Sequence, residues 1–295
     1  MGCRLCPREC NADRENGKVG YCGETASLRV ARAALHMWEE PCISGKTGSG
    51  TVFFTGCPLK CVFCQNSILA ENGAGKAITA ERLAEIFLAL QSEGACNINL
   101  VTPTHFVPQI VSALKKAKAD GLSVPVVYNT GGYEKPETLR LLEGMIDIYL
   151  PDLKYFSSRL SARYSNAPDY FTKASSAIAE MFRQTGTPVI DEKTGLMKRG
   201  IIVRHLLLPK RLADSKKVLE YLFCTYHHDI YLSIMNQYTP IRRFPDMPEL
   251  NRRVSGKEYN MLIDYALNLG IENAFIQEGD TASESFIPSF DCEGI

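Results

Sequence analysis

The chain has 295 residues, 45% hydrophobic and 22% charged, and its thirty-three basic residues balance thirty-three acidic ones. That is an ordinary composition for a soluble globular protein, and neutrality gives no electrostatic case for a nucleic-acid partner or an anionic membrane. No apolar run approaches the roughly 20 residues that span a bilayer, and no basic segment with an apolar core opens the chain, so secretion is not expected. Eleven cysteines then point to metal ligation in a reducing, anaerobic cytoplasm rather than to disulfides.

Residues 1–50 read as one unit and 51–295 as a second, larger one. The first carries Cys3, Cys6, Cys10 and Cys22, threaded with Gly17, Gly20 and Gly23 and few apolar side chains. Such a segment buries too little surface to fold without a staple. Four thiolates supply one as a closed site, for which zinc, mononuclear iron and a second iron–sulfur cluster all qualify on spacing. Leu28 to His36 alternates as a strand, with His36 as a polar residue on it. Cys42 is expected to be a buried structural thiol, with a substrate-facing thiol as the alternative, and Gly45, Gly48 and Gly50 mark tight turning into the next strand.

Thr51 to Phe54 is an apolar run that reads as a buried strand, and Gly56 turns it into a loop carrying Cys57, Cys61 and Cys64. Three thiolates on one short loop hold three corners of an iron–sulfur cube and leave the fourth iron without a protein ligand. Such an open position is the mark of a catalytic metal site. The plainer alternatives are a zinc knuckle with a distant fourth ligand, or unrelated buried thiols.

Strands and helices then alternate, the pattern of parallel βαβ units. Thr79 caps a helix over 80–92, whose Leu83, Ile86, Phe87 and Leu90 share a face. A strand over 96–101 ends at Thr102-Pro103-Thr104-His105, a helix covers 106–119, and a strand over 124–129 ends at Thr130-Gly131-Gly132-Tyr133. A helix over 136–144 precedes a strand over 146–150, which ends at Pro151-Asp152-Leu153-Lys154. Helices over 157–165 and 169–184, a hairpin over 189–198 and a strand over 200–208 follow. A helix over 214–225, a strand over 229–235 ending near Gln237 and Tyr238, a helix over 255–269, a short strand at 274–276 and a polar tail complete the chain. Six strand–helix units suit either a partial (β/α)6 barrel or a doubly wound open sheet, and both place ligands at the C-terminal ends of the strands.

The spacing Cys57-x3-Cys61-x-Phe63-Cys64 resembles the signature of the radical S-adenosylmethionine (SAM) superfamily. The wider string from Glu39-Glu40-Pro41-Cys42-Ile43-Ser44-Gly45 through Cys64-Gln65-Asn66 is similar to the branch related to pyruvate formate-lyase activating enzyme. The resemblance runs roughly from Cys3 to the final helix. It implies an α/β fold, a partial (β/α)6 TIM-like radical SAM barrel with a small Cys-rich N-terminal metal-binding segment. It also implies a [4Fe-4S] cluster on Cys57, Cys61 and Cys64, whose open iron is chelated by S-adenosylmethionine. Reductive cleavage then gives a 5′-deoxyadenosyl radical that abstracts a hydrogen atom. Flavodoxin or ferredoxin is the implied electron donor and a glycyl radical enzyme the implied partner, with a small-molecule substrate as the alternative.

The resemblance implies further cofactor contacts. Phe63 is the signature's aromatic residue. Thr102 and Thr104 stand in a Thr-Pro-Thr string where relatives often carry Gly-Gly-Glu, so any contact to the cofactor's amino group falls to backbone carbonyls or hydroxyls. Asn129 replaces an acid. Lys154 is matched to the methionyl carboxylate, and Asp152 to a ribose hydroxyl, an ammonium or a cation. Arg204 falls on an Ile-Arg motif suited to a carboxylate, while strand alternation turns His205 to the opposite face. Gln237 or Tyr238 occupies the place of a histidine found in relatives, and His227 and His228 lie at the strand's far end, on the surface. A metal-stapled binding scaffold without turnover is the reading from another class. A flavodoxin-like nucleotide binder lacks both the G-x-G-x-x-G and the P-loop strings.

Overall fold

The computed structural model describes residues 2–70, 75–277 and 288–295. Its strands are β1 (Arg29–His36), β2 (Ser49–Phe54), β3 (Lys76–Ala77), β4 (Ile98–Val101), β5 (Val126–Thr130), β6 (Ile148–Pro151), β7 (Val189–Ile190), β8 (Met197–Leu206), β9 (Tyr231–Met235) and β10 (Ala274–Ile276). The helices are α1 (Pro41–Ser44), α2 (Ser67–Ala70), α3 (Ala80–Ser92), α4 (Val107–Ala119), α5 (Pro136–Leu139), α6 (Ser158–Ser165), α7 (Tyr170–Thr185), α8 (Leu212–Tyr226) and α9 (Gly256–Leu269).

The strands form one sheet in the order β10-β9-β8-β6-β5-β4-β2-β1-β3, with β7 as an extra arm on β8. From β2 to β10 along that path every pairing is parallel, and β1 joins β2 antiparallel. The sheet therefore has two ends and curls without closing, as a partial barrel does. The helices form where the sequence signals them. Thr79 Oγ1 accepts from Arg82 N at 3.1 Å to open α3, and Ser255 and Glu258 form a reciprocal capping box on α9. Among the described residues no helix is long and apolar enough to cross a membrane.

Side-chain alternation explains the layers. On β5, Val126 and Tyr128 face the helices while Val127 and Asn129 face inward; on β8, Ile201 and Val203 face out while Ile202 and Arg204 face in. Inside the curl, Cys42, Ile43, Val127, Ile148, Leu150, Met197 and Ile202 form a dry plug. Cys42 is buried in this plug, and burial pushes its pKa up to about 12. Above the plug the same inward face turns polar.

Three details depart from the sequence-based expectations. The second arm of the expected hairpin is the start of β8, which runs unbroken for ten residues from Met197. The short strand β10 pairs parallel with β9, so it adds a seventh strand to the six expected parallel ones. The helix expected over 136–144 is one α turn followed by a 3-10 turn, Arg140–Leu142. Of the expected polar tail, 278–287 lie outside the described residues, and 288–295 return to the opposite sheet edge. There Cys292 N donates to Ala31 O at 3.0 Å and Ala33 N to Glu293 O at 2.9 Å, while Arg32 pairs with Asp291 and Glu293.

Candidate functional site

A cavity of about 430 Å³ opens at the C-terminal ends of the parallel strands. Cys57, Cys61, Cys64 and Phe63 line it from the loop after β2, and Thr102 and Thr104 from the loop after β4. Asn129, Asp152, Lys154, Arg204 and Gln237 complete the wall from β5, β6, β8 and β9. Every cavity residue expected from the sequence is therefore brought together.

The cluster loop is shaped by Gly56. Its φ of 77° lies in the left-handed region, and a Cβ there would stand 2.5 Å from Glu24 Cγ and 2.9 Å from Cys22 O. The next amide, Cys57 N, donates to Cys22 O at 3.0 Å. Leu59 N donates to Cys57 Sγ at 3.4 Å, and Ser165 Oγ donates to Cys61 Sγ at 2.9 Å. Burial pushes all three thiols upward, Cys64 to about 12, while the nearby Lys154 ammonium pulls them back. A bound metal takes thiolates and expels those protons. Phe63 is packed edge-on among Tyr155, Tyr164 and Tyr238, at centroid distances of 6.5, 6.3 and 6.1 Å.

The cavity floor is a network that adds Glu39 and Asn99 to the residues expected from the sequence. Arg204 Nη1 donates to Glu39 Oε2 at 3.0 Å, Arg204 also bonds Asn129 Oδ1, and its Nε lies 3.4 Å from Asp152 Oδ1. Asn99 Nδ2 donates to Glu39 Oε1 at 2.9 Å. Lys154 pairs with Asp152. Burial opposes the charge on Asp152, yet Lys154 and Arg204 outweigh it and hold the carboxyl below its usual range. Arg204 thus has Glu39 and Asp152 as carboxylate partners within the chain. Glu39 stands in the quoted Glu-Glu-Pro-Cys string, and Asn99 faces inward by strand period, so both carried a readable signal.

Two further acids are buried nearby. Glu134, at 0% exposure, accepts from the hydroxyls of Thr104 and Thr130, and burial raises its pKa to about 7. Burial also pushes Glu40 up, opposed by Arg204. His36 reaches the cavity wall and meets Phe53 edge-on at 6.1 Å, a placement its strand position alone did not announce. His205 faces away, its Nδ1 2.7 Å from Leu153 O.

The second set of thiols lies behind the cluster loop. A Cβ on Gly20 would stand 3.3 Å from Cys22 Sγ and 3.5 Å from Cys10 Sγ, and Arg14 Nη1 lies 3.6 Å from Cys3 Sγ. Burial raises the Cys6 thiol to about 12, with Cys22 and Cys3 adding to the effect. Among the described residues no three His, Cys, Asp or Glu side chains stand close enough to grip a single metal ion. Ligands on separate corners of a cube stand farther apart than ligands of one ion, and among the described residues no fourth cysteine lines the cavity. The donor set beside the cavity therefore fits a three-thiolate cluster with one open iron.

A family model described as the Radical SAM superfamily matches residues 51–198, half of the chain. An uncharacterised protein of Methanocaldococcus jannaschii is 27% identical over 274 residues, covering 90% of this chain and 74% of that one. Among solved structures, a radical SAM methyltransferase from Sphaerobacter thermophilus superposes with a TM-score of 0.53 at 15% identity, over 78% of this chain and 66% of that one. Streptococcus suis SuiB, bound to the precursor peptide SuiA, superposes with a TM-score of 0.52 at 14% identity, over 75% of this chain. The chain spans 46% of SuiB. At these identities the structures speak to the fold.

Proposed function

Because the chain belongs to the radical SAM superfamily, we propose that Cys57, Cys61 and Cys64 hold a [4Fe-4S] cluster and that the cavity beside them binds S-adenosylmethionine. Bound together, these groups supply reductive cleavage of the sulfonium and a 5′-deoxyadenosyl radical for hydrogen abstraction. The observation that carries the reading is the meeting of three thiols and one polar floor in a single cavity at the strand ends.

The protein's part is to bind, orient and keep water out. Lys154 and Asp152, paired across the floor, are placed to exchange each other for the carboxylate and the ammonium or ribose hydroxyl of the methionyl nucleoside. Arg204 is fixed by Glu39 and keeps Asp152 ionised. Thr102 and Thr104 offer hydroxyls and carbonyls where an acid is missing, and Phe63, Asn129 and Gln237 complete the wall.

The proposed substrate is a backbone glycine of a glycyl radical enzyme, on the strength of the Glu39–Asn66 string, with flavodoxin or ferredoxin supplying the electron. A small-molecule substrate is the second reading, favoured by Thr102-Pro103-Thr104 and Gln237 at positions where the activating enzymes carry an acid and a histidine. Cys3, Cys6, Cys10 and Cys22 are proposed to hold a second metal centre, zinc or iron–sulfur. Since among the described residues no three donors stand close enough to grip one ion, the iron–sulfur reading is the better supported of the two.

Anaerobically reconstituted protein mixed with S-adenosylmethionine and a strong reductant is expected to release 5′-deoxyadenosine, and the Cys61→Ala variant to release none. Equal yields from the two would sink the reading. Two zinc ions per chain with no acid-labile sulfide would favour a stapled scaffold instead.

A further inference from the structure

The C-terminal end of α6 is stitched to the cluster loop at several points. Val62 N donates to Tyr164 O at 2.9 Å, Ser165 Oγ donates to Cys61 Sγ at 2.9 Å, and Arg8 reaches Pro58 O at 2.8 Å and Ser165 O at 3.0 Å. Ser165 Oγ also lies 2.8 Å from Tyr155 Oη. Ser165 is 2% exposed and Tyr155 1%, so bulk water does not compete for either contact. A serine hydroxyl carries one proton. When that proton points at the sulfur, the oxygen's lone pairs are free to accept from the tyrosine. The result is a directed chain, Tyr155 to Ser165 to Cys61, in which each donor polarises the next.

We propose that Ser165 is a positioning residue for the cluster: its hydroxyl, backed by Tyr155, donates to the Cys61 thiolate and raises the cluster's reduction potential. The proposal rests on the three-cysteine cluster put forward above. Reduction adds an electron whose charge spreads onto the ligating sulfurs, so a donor aimed at one of them stabilises the reduced form over the oxidised one. The other two thiols are met by backbone amides, those of Leu59 (3.4 Å) and Lys60 at Cys57 and of Asn66 at Cys64, so the side-chain hydroxyl at Cys61 is a donor of a different kind.

The test is a redox titration of the reconstituted protein, followed by electron paramagnetic resonance, alongside iron and sulfide analysis. Ser165→Ala is expected to bind the same iron and sulfide as the parent but to be about tenfold harder to reduce, a midpoint lower by about 59 mV for one electron. Tyr155→Phe is expected to move the midpoint the same way by less, and Ser165→Thr, which keeps the hydroxyl, to hold the parent value. An unchanged midpoint in Ser165→Ala overturns the proposal, as does a Ser165→Thr shift as large as that of alanine. If Ser165→Ala takes up no cluster, Tyr155→Phe decides: a lowered midpoint supports the chain of donors and an unchanged one overturns it. A parent protein without iron and sulfide on Cys57, Cys61 and Cys64 overturns the cluster reading itself, which the metal analysis reports separately from the potential.

Discussion

Glu39 and Arg204 face each other below the cavity with side-chain exposures of 8% and 16%. Three carboxyl groups, Glu39, Glu40 and Asp152, surround two cations, Arg204 and Lys154, and the burial that pushes Glu40 up favours its neutral form. Removing one member of such a pair strands a charge, at a cost of about 3–5 kcal/mol. Glu39→Gln and Arg204→Met are each expected to lose that much in denaturant unfolding. The double variant is expected to recover most of it, and losses that simply add would show that the two are not coupled. Glu134 gives a pH signature of opposite origin. Its folded pKa is about 7 against an ordinary 4.5, so the folded state holds a proton that the unfolded chain has released. Stability from this group is therefore complete below pH 4.5, falls as pH rises towards 7, and is flat above, with a total loss of about 3 kcal/mol. Glu134→Gln is expected to flatten that slope between pH 5 and pH 7 in thermal melts.

At the scale of elements, the strand ends carry the chemistry and the turns that follow them fix its aim. Gly132 follows β5 at a φ of 80°, and a Cβ there would stand 2.1 Å from Asp152 O. Backbone cannot yield as a flexible side chain does, so Gly132→Ala is expected to push β6 and its Asp152–Lys154 pair out of register. S-adenosylmethionine binding to the reconstituted variant should weaken at least tenfold in equilibrium dialysis, while the iron content of the cluster loop is retained. The order of strands and helices was legible because each strand is a short apolar run and each long helix shows one apolar stripe. The same alternation placed Arg204 inward and His205 outward. What stayed hidden depends on partners far along the chain. The Glu-Glu-Pro-Cys string marked Glu39 but not its partner, Arg204, 165 positions later. The 288–295 segment is seated on β1 by backbone bonds, two exposed acids, Phe290 edge-on to Phe53 at 5.4 Å and Ile295 on the core, and no repeating apolar pattern announces it.

For the molecule as a whole, the N-terminal segment is a clamp on the cluster loop. Cys22 O holds Cys57 N. The Arg8 guanidinium bonds Pro58 O and the end of α6 and lies 4.1 Å from the centroid of the Tyr21 ring. Arg14 joins Glu24 O to His105 O at 3.1 and 2.7 Å, and His105, kept neutral by burial with a pKa of about 3, bonds Thr55 O at 2.6 Å. The sequence presented Cys3, Cys6, Cys10 and Cys22 as a separate unit because spacing says nothing about what a segment leans on. The contacts tie the two proposed metal centres mechanically, which leads to a prediction neither centre makes alone. Cys6→Ser with Cys22→Ser is expected to remove the second metal and also to lower the iron and sulfide retained by Cys57, Cys61 and Cys64, because the carbonyl that anchors Cys57 is no longer held in place. Arg8→Ala is expected to leave the N-terminal metal bound, to cost about 2–3 kcal/mol from lost hydrogen bonds and ring contact, and to lower cluster retention to a smaller degree. If metal analysis finds full cluster occupancy in both variants, the clamp carries no strain from one centre to the other, and the N-terminal site serves its own segment only.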